Sequence, residues 1–124
     1  MDNRSKITAA EWVVMEVIWR RKKASANQVI KALKDKCNWN AKTIRTLLSR
    51  LLNKQSIVTE QIQDRQFIYR PAVGKKLCIE TAARELVEKV GKEKLGIAAI
   101  EIARQAVLTK REKTELRKII KSKG

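Results

Sequence analysis

The sequence predicts a mainly helical protein with one small β-hairpin, and three observations support that prediction. Apolar residues recur at helical spacing over most of the 124 residues, and three Ser/Thr-x-x-Glu/Gln boxes mark helix starts. The period changes to rough alternation in one stretch, at residues 57–70. Hydrophobic residues make up 44% of the chain, which is enough for a packed core despite 34% charged residues.

Two capping boxes predict the first two helices. Thr8 with Glu11 opens a helix that ends near the basic run at residues 20–23, and Ser25 with Gln28 opens the second. The second helix is amphipathic, and its apolar residues are Ala26, Val29, Ile30, Leu33 and Cys37. The link at 38–40 is short enough to require a sharp turn into the next helix, which is the geometry of a helix-turn-helix.

The third helix is predicted over residues 40–53, with Asn40 as its N-cap. Its apolar stripe consists of Ile44, Leu47, Leu48, Leu51 and Leu52. Its opposite face holds donors and small polar groups, with no carboxylate to repel phosphate: Lys42, Thr43, Arg45, Thr46, Ser49, Arg50 and Asn53. Such a face suits nucleic acid, although an ordinary basic surface helix has the same pattern.

A β-hairpin is predicted from residues 57–62 and 65–70, joined through a short polar turn and closed by Pro71. A hairpin that follows a recognition helix is the wing of a winged helix. Arg65 lies at the predicted tip, where it is a candidate phosphate contact; the alternative is a solvated turn.

Three further helices are predicted after Gly74, and the second of these, residues 95–107, is apolar over most of its circumference. Thr109 with Glu112 opens the last helix. These helices have no obvious core of their own, so we expect a second copy of the chain to cover them; the alternative is an intrachain cap. The predicted domains are a winged helix-turn-helix domain at 1–73 and a helical dimerisation domain at 74–124.

The charge points to a polyanionic partner, because the chain carries a net charge of +16 and its pI is about 10.3. Double-stranded DNA is the first candidate, and an acidic protein is the alternative. The chain has no histidine, and Cys37 and Cys78 stand far apart, so we expect no metal, no cofactor and reduced thiols. We expect no enzyme activity, no membrane insertion and a cytoplasmic location.

Four segments resemble the penicillinase, methicillin-resistance and copper-responsive repressors, the BlaI/MecI/CopY family. They are A-E-W-x-V-M-x-V-I-W at 10–19, S-A-N-x-V-I at 25–30, W-x-x-K-T-I-R-T-L-x-x-R-L at 39–51 and F-I-Y-x-P at 67–71. The resemblance implies a homodimeric repressor on a palindromic operator, regulating β-lactam resistance genes or a related stress operon. A copper-responsive repressor and a nonspecific basic DNA-binding protein are the alternatives.

By matching position, the resemblance assigns DNA contacts to the polar face of the third helix. We expect Lys42 and Thr43 at base edges, and Arg45 and Arg50 at phosphates or at guanine. With the cap, the neighbouring polar residues and the wing, the predicted DNA-binding residues are Asn40, Lys42, Thr43, Arg45, Thr46, Ser49, Arg50 and Arg65.

The release of repression divides the family. Its antibiotic-resistance branch is cut between an asparagine and a phenylalanine in the tail, where this chain has Glu101 and Ile102. Its copper branch uses C-x-C motifs near the C-terminus, and this chain has no cysteine after Cys78. Our hypothesis is that a transmembrane sensor and protease still cleaves the tail, at a different bond.

Overall fold

The computed structural model describes residues 6–64 and 66–124, and it is mainly helical with one two-stranded hairpin, which confirms the predicted fold class. The first part of the chain contains the helices α1, α2 and α3 and the strands β1 and β2. Their bounds are Ala9–Arg21, Ala26–Leu33, Ala41–Asn53, Ile57–Gln61 and Phe67–Pro71. The rest contains α4 (Lys75–Val90), a short 3-10 turn (Lys92–Lys94), α5 (Leu95–Gln105) and α6 (Lys110–Ser122).

The chain forms two compact units, and the division between them falls between Leu86 and Val87. Both positions lie in α4, so one continuous helix contributes residues to each unit. The domain boundary predicted between residues 73 and 74 stays a prediction.

Helix starts follow the sequence closely. In each of the three predicted capping boxes, the N-cap hydroxyl accepts a hydrogen bond from a backbone N–H, and the N-cap N–H donates to the Glu or Gln side chain. The boxes pair Thr8 with Glu11, Ser25 with Gln28, and Thr109 with Glu112. Local chemistry therefore fixes where α1, α2 and α6 begin.

Two helices end earlier than predicted. The second helix ends at Leu33 rather than continuing to Cys37, because the chain tightens into a turn in which Lys36 N–H donates to the Leu33 carbonyl. Cys37 still packs, half-buried, against the core. The helix α5 ends at Gln105, since the next residue is already extended, and Val107 is 97% exposed rather than helical.

The core of the first unit lies where one face each of α1, α2 and α3 meet, with β1 closing one side. Its buried members are Val14, Met15, Val17, Ile18, Ala24, Val29, Leu33, Ile44, Leu47, Leu48, Leu51 and Ile57. Trp39, in the turn before α3, packs half-buried against this core. Trp19 also packs against the core and donates from Nε1 to the Val73 carbonyl at 3.0 Å.

The hairpin is antiparallel, and its register runs from Ile57 opposite Pro71 to Gln61 opposite Phe67. Pro71 is therefore the last residue of β2 and does not merely close the strand. Tyr69 also pairs with Ala24 through two backbone hydrogen bonds, at 2.8 and 3.0 Å. This bridge ties the wing to the link between α1 and α2, and the sequence pattern gave no sign of it.

No helix within residues 6–64 and 66–124 is both long enough and apolar enough to cross a membrane.

Candidate nucleic-acid interface

The helix α3 is held from both sides. At its start, Asn40 Oδ1 accepts from the Thr43 N–H at 2.8 Å, so the predicted N-cap is present. On its inner face, Ile44, Leu48 and Leu51 are at most 1% exposed. Because the apolar stripe is buried and the first turn is capped, the opposite face has a fixed direction toward solvent.

The outer face of α3 presents most of the predicted contact residues. Those that are exposed are Asn40, Lys42, Arg45, Thr46, Ser49 and Arg50. Thr43 is half-buried, and the Asn40 amide oxygen is occupied by the cap. Arg65 lies outside the described residues, so its predicted contact stays a prediction.

One side of this face forms a shallow depression of about 290 Å³, lined by Lys42, Thr43, Thr46, Leu47 and Arg50. The Thr46 hydroxyl donates to the Lys42 carbonyl at 3.0 Å, which commits this donor to the helix itself. Among the described residues, Lys42 and Arg50 have no side-chain hydrogen bond or ion pair, so their cationic groups are the strongest donors available to a ligand at the depression.

Arg45 lies on the other side of the face, in a groove of about 350 Å³. The groove is lined by Ser25, Ala26, Asn27, Arg45, Gln66, Phe67 and Tyr69, from α2, α3 and the hairpin. Arg45 Nη2 donates to Asn27 Oδ1 at 3.3 Å. Asn27 was not among the predicted site residues, and the available signal was its place in the S-A-N-x-V-I segment, off the apolar stripe.

The C-terminal end of α3 is anchored by a partly buried ion pair that the sequence pattern did not reveal. Lys54 Nζ lies 2.5 Å from Glu11 Oε1 and also donates to the Lys6 carbonyl at 2.9 Å. Glu11 is 1% exposed. Burial raises the pKa of Glu11, but hydrogen bonds from Lys54 and Thr8 outweigh it and lower the pKa below its ordinary value. Glu11 is therefore ionised at neutral pH.

The thiols have the surroundings of core residues. Cys78 is buried and Cys37 half-buried, and both are free. Burial raises the pKa of the Cys78 thiol, which favours the protonated and unreactive form. Among the residues that the structure describes, no three His, Cys, Asp or Glu side chains lie together as a metal site would require.

Comparison of the chain with known proteins identifies its family. The family model of the penicillinase repressor matches residues 7–122. The chain belongs to the penicillinase repressor family. This confirms the resemblance drawn from the four sequence segments.

Relatives in the penicillinase repressor family match over nearly the whole chain. The methicillin resistance regulatory protein MecI of Staphylococcus aureus (strain N315) is 32% identical over 124 residues, covering 99% of this chain and 100% of MecI. The penicillinase repressor of Bacillus licheniformis is 30% identical over 115 residues, covering 93% of this chain and 89% of its own.

Solved structures of the family match the shared fold of the DNA-binding part. The DNA-binding domain of the repressor BlaI superposes with a TM-score of 0.55 at 35% identity, covering 62% of this chain and 93% of that domain. The monomeric form of Bacillus licheniformis BlaI, solved in complex with the blaP half-operator, gives a TM-score of 0.52 at 36% identity. That match covers 58% of this chain and 87% of the BlaI chain.

Proposed function

We propose that this member of the penicillinase repressor family is a transcriptional repressor that acts in the cytoplasm as a homodimer on a two-fold symmetric DNA operator. The observation that carries the proposal is the outer face of α3, which is exposed, basic and free of carboxylates, on a helix fixed by a buried stripe. The BlaI half-operator complex supports DNA as the ligand, because BlaI shares the fold of the DNA-binding part and is 36% identical to this chain over the matched region.

Within the proposed complex, α3 enters the major groove with its N-terminal turn toward the bases. Lys42 and Thr43, on that turn, contact base edges. Arg45 and Arg50 lie at the two sides of the helix face, beside the groove and the depression, where phosphates of the flanking backbones are in reach. Arg65 of the wing adds a further phosphate contact.

Footprinting of the purified protein on DNA upstream of its own gene, across a salt series, tests this function. A discrete two-fold symmetric footprint that survives moderate salt is the expected result. Diffuse protection that fades steeply with salt would instead favour a nonspecific basic DNA-binding protein, since phosphate contacts alone carry no sequence preference.

We also propose that α5 and α6 form the dimer interface. In these two helices, all of which the structure describes, no residue is buried. Ile97 is 73% exposed and Ile120 69% exposed. Apolar surface of this extent is characteristic of a protein–protein interface, and a second copy of the chain covers it with closed symmetry.

Replacing Ile120 by aspartate is expected to raise the dimer dissociation constant at least about tenfold, because a charge in an apolar interface loses its hydration without gaining a partner. Sedimentation equilibrium measures the change. Thr114→Asp is the matched control, since it adds the same charge to α6 at an exposed polar position and leaves the dimer intact. A wild-type monomer at micromolar concentration, or equal effects of the two changes, would contradict the proposed interface.

For release of repression, we propose that a transmembrane sensor and protease system cleaves the tail, and that the regulated genes confer β-lactam resistance or belong to a related stress operon. Glu101 and Ile102, at the position where relatives in the antibiotic-resistance branch are cut, both lie exposed in α5. Because this part of the tail is helical, α5 must open locally before a protease can cut the chain at or near this position. Repression that lifts in cells while the tail stays intact would contradict cleavage.

A further inference from the structure

The polar face of α3 makes one side-chain hydrogen bond to another helix within the described residues, and that bond joins Arg45 to Asn27. Arg45 Nη2 donates to Asn27 Oδ1 at 3.3 Å, across 18 positions of the sequence. Asn27 lies in the first turn of α2, and both side chains are exposed. The acceptor, the amide oxygen of Asn27, is neutral, so this bond orients the Arg45 guanidinium without neutralising its positive charge.

The rest of the Arg45 guanidinium is free to bind. It has five N–H donors, and the bond to Asn27 uses one of them. Within residues 6–64 and 66–124 no carboxylate pairs with Arg45: the ion pairs there join Lys54 to Glu11, Arg70 to Glu60, Lys75 to Glu16, and Arg104 to Glu101. A guanidinium that is oriented by one hydrogen bond and keeps unused donors can bind a phosphate through two parallel N–H···O bonds.

The groove around Arg45 combines its cation with exposed apolar surface. The groove of about 350 Å³ brings Arg45 beside Gln66, Phe67 and Tyr69 of the hairpin. Phe67 is 51% exposed, so an apolar ring lies open next to the cation. A segment of DNA backbone complements this arrangement, because its anionic phosphate can face the cation of Arg45 while the less polar deoxyribose faces the ring of Phe67.

We propose that Asn27 is a positioning residue that holds Arg45 at the mouth of this groove, and that the groove receives one phosphodiester of the DNA backbone. The proposal rests on the proposed DNA-binding function and adds the residue that orients one contact. Arg45 binds the phosphate. Asn27 acts only through Arg45, by limiting the conformations of a long side chain that otherwise loses entropy on binding.

A double-mutant cycle on DNA affinity tests the proposal with wild type, Asn27→Ala, Arg45→Ala and the double variant, each measured at several salt concentrations. Arg45→Ala is expected to weaken binding of the dimer about tenfold and to lower the slope of log affinity against log salt by about two, because each of the two subunits loses one phosphate contact. Asn27→Ala is expected to weaken binding about threefold with the slope unchanged, because the charge remains. In the Arg45→Ala background, Asn27→Ala is expected to have no further effect.

The control is Gln28→Ala, which breaks the capping box at the same end of α2 and leaves Asn27 in place. It reports what loosening α2 alone does to melting temperature and to DNA affinity. If Asn27→Ala still weakens binding when Arg45 is absent, or lowers affinity only in proportion to a lost melting temperature as Gln28→Ala does, the proposal is wrong.

The cycle is run on both the footprinted duplex and a shuffled duplex of equal length. A phosphate contact is independent of sequence, so the coupling between Asn27 and Arg45 is expected on both. If the protein shows no preference between the duplexes, the operator-specific function fails while the coupling is still measured. If the preference is present and the coupling is absent, only the positioning role of Asn27 fails.

Discussion

Replacing Lys54 by methionine is expected to lower the free energy of unfolding by about 3 kcal/mol, because it leaves the Glu11 carboxylate buried without its cation. Glu11 is 1% exposed, and Lys54 lies immediately after α3, so the pair joins α1 to the end of the recognition helix. Thr8 N–H still donates to Glu11 at 2.9 Å in the variant, but one hydrogen bond replaces neither the charge nor the second donor. Urea denaturation measures the loss.

Lys75→Met is the matched control, since Lys75 also pairs with a glutamate of α1, Glu16, at 2.9 Å. The side chains of Lys75 and Glu16 are 48% and 41% exposed, so screening by water limits the expected loss of stability to under about 1 kcal/mol. Equal losses in the two variants would contradict the account of Lys54.

The pH dependence provides a second check on the Glu11 pair. The folded protein lowers the Glu11 pKa below 4.5, so the stabilisation by this group is present above pH 4.5 and is lost as the pH falls through the folded pKa. In Lys54→Met the cation and hydrogen bond that lower this pKa are gone. The difference in stability between wild type and variant is therefore expected to be largest near pH 7 and to shrink as the pH falls through and below 4.5, where Glu11 becomes protonated in both proteins. A difference that is independent of pH would point to lost packing instead.

Leu51→Ala is expected to destabilise the protein by about 3 kcal/mol, because it removes a side chain that is 0% exposed at the centre of the core. Its neighbour Leu52 is half-buried at the edge of the same core, so Leu52→Ala is expected to lose about half as much. Both changes replace leucine by alanine in α3, so the effect of helix propensity on stability is the same in the two variants and cancels from their difference. Thermal and urea unfolding of the two variants measure the difference, and equal losses would contradict the orientation of α3.

The sequence predicted the elements whose causes are local. The three capping boxes and Asn40 satisfy backbone N–H groups within one helical turn, and each formed where the residue types stood. The leucine stripe of α3 was likewise predictable, since helical spacing alone decides which residues share a face. The candidate DNA-binding face followed from the same spacing.

The sequence patterns did not predict the contacts that join distant parts of the chain. The Lys54–Glu11 pair spans 43 positions and the Ala24–Tyr69 bridge joins a link to a strand, so neither leaves a periodic mark in the sequence. Asn27 was missed for the same reason, because its importance depends on Arg45 lying beside it in space. Charge and period locate a face, whereas tertiary packing decides which partners a side chain meets.

The central claim is that the outer face of α3 reads DNA sequence, and the specificity ratio of one lysine variant tests it most directly. The ratio is the affinity for the footprinted duplex divided by that for a shuffled duplex, measured for wild type, Lys42→Ala and Lys31→Ala. Lys31 is an exposed lysine of α2 and so matches the loss of charge. A wild-type ratio of about a thousand or more, lowered about tenfold by Lys42→Ala and unchanged by Lys31→Ala, is the predicted result. A wild-type ratio near one, or equal weakening on both duplexes by Lys42→Ala, would contradict the claim.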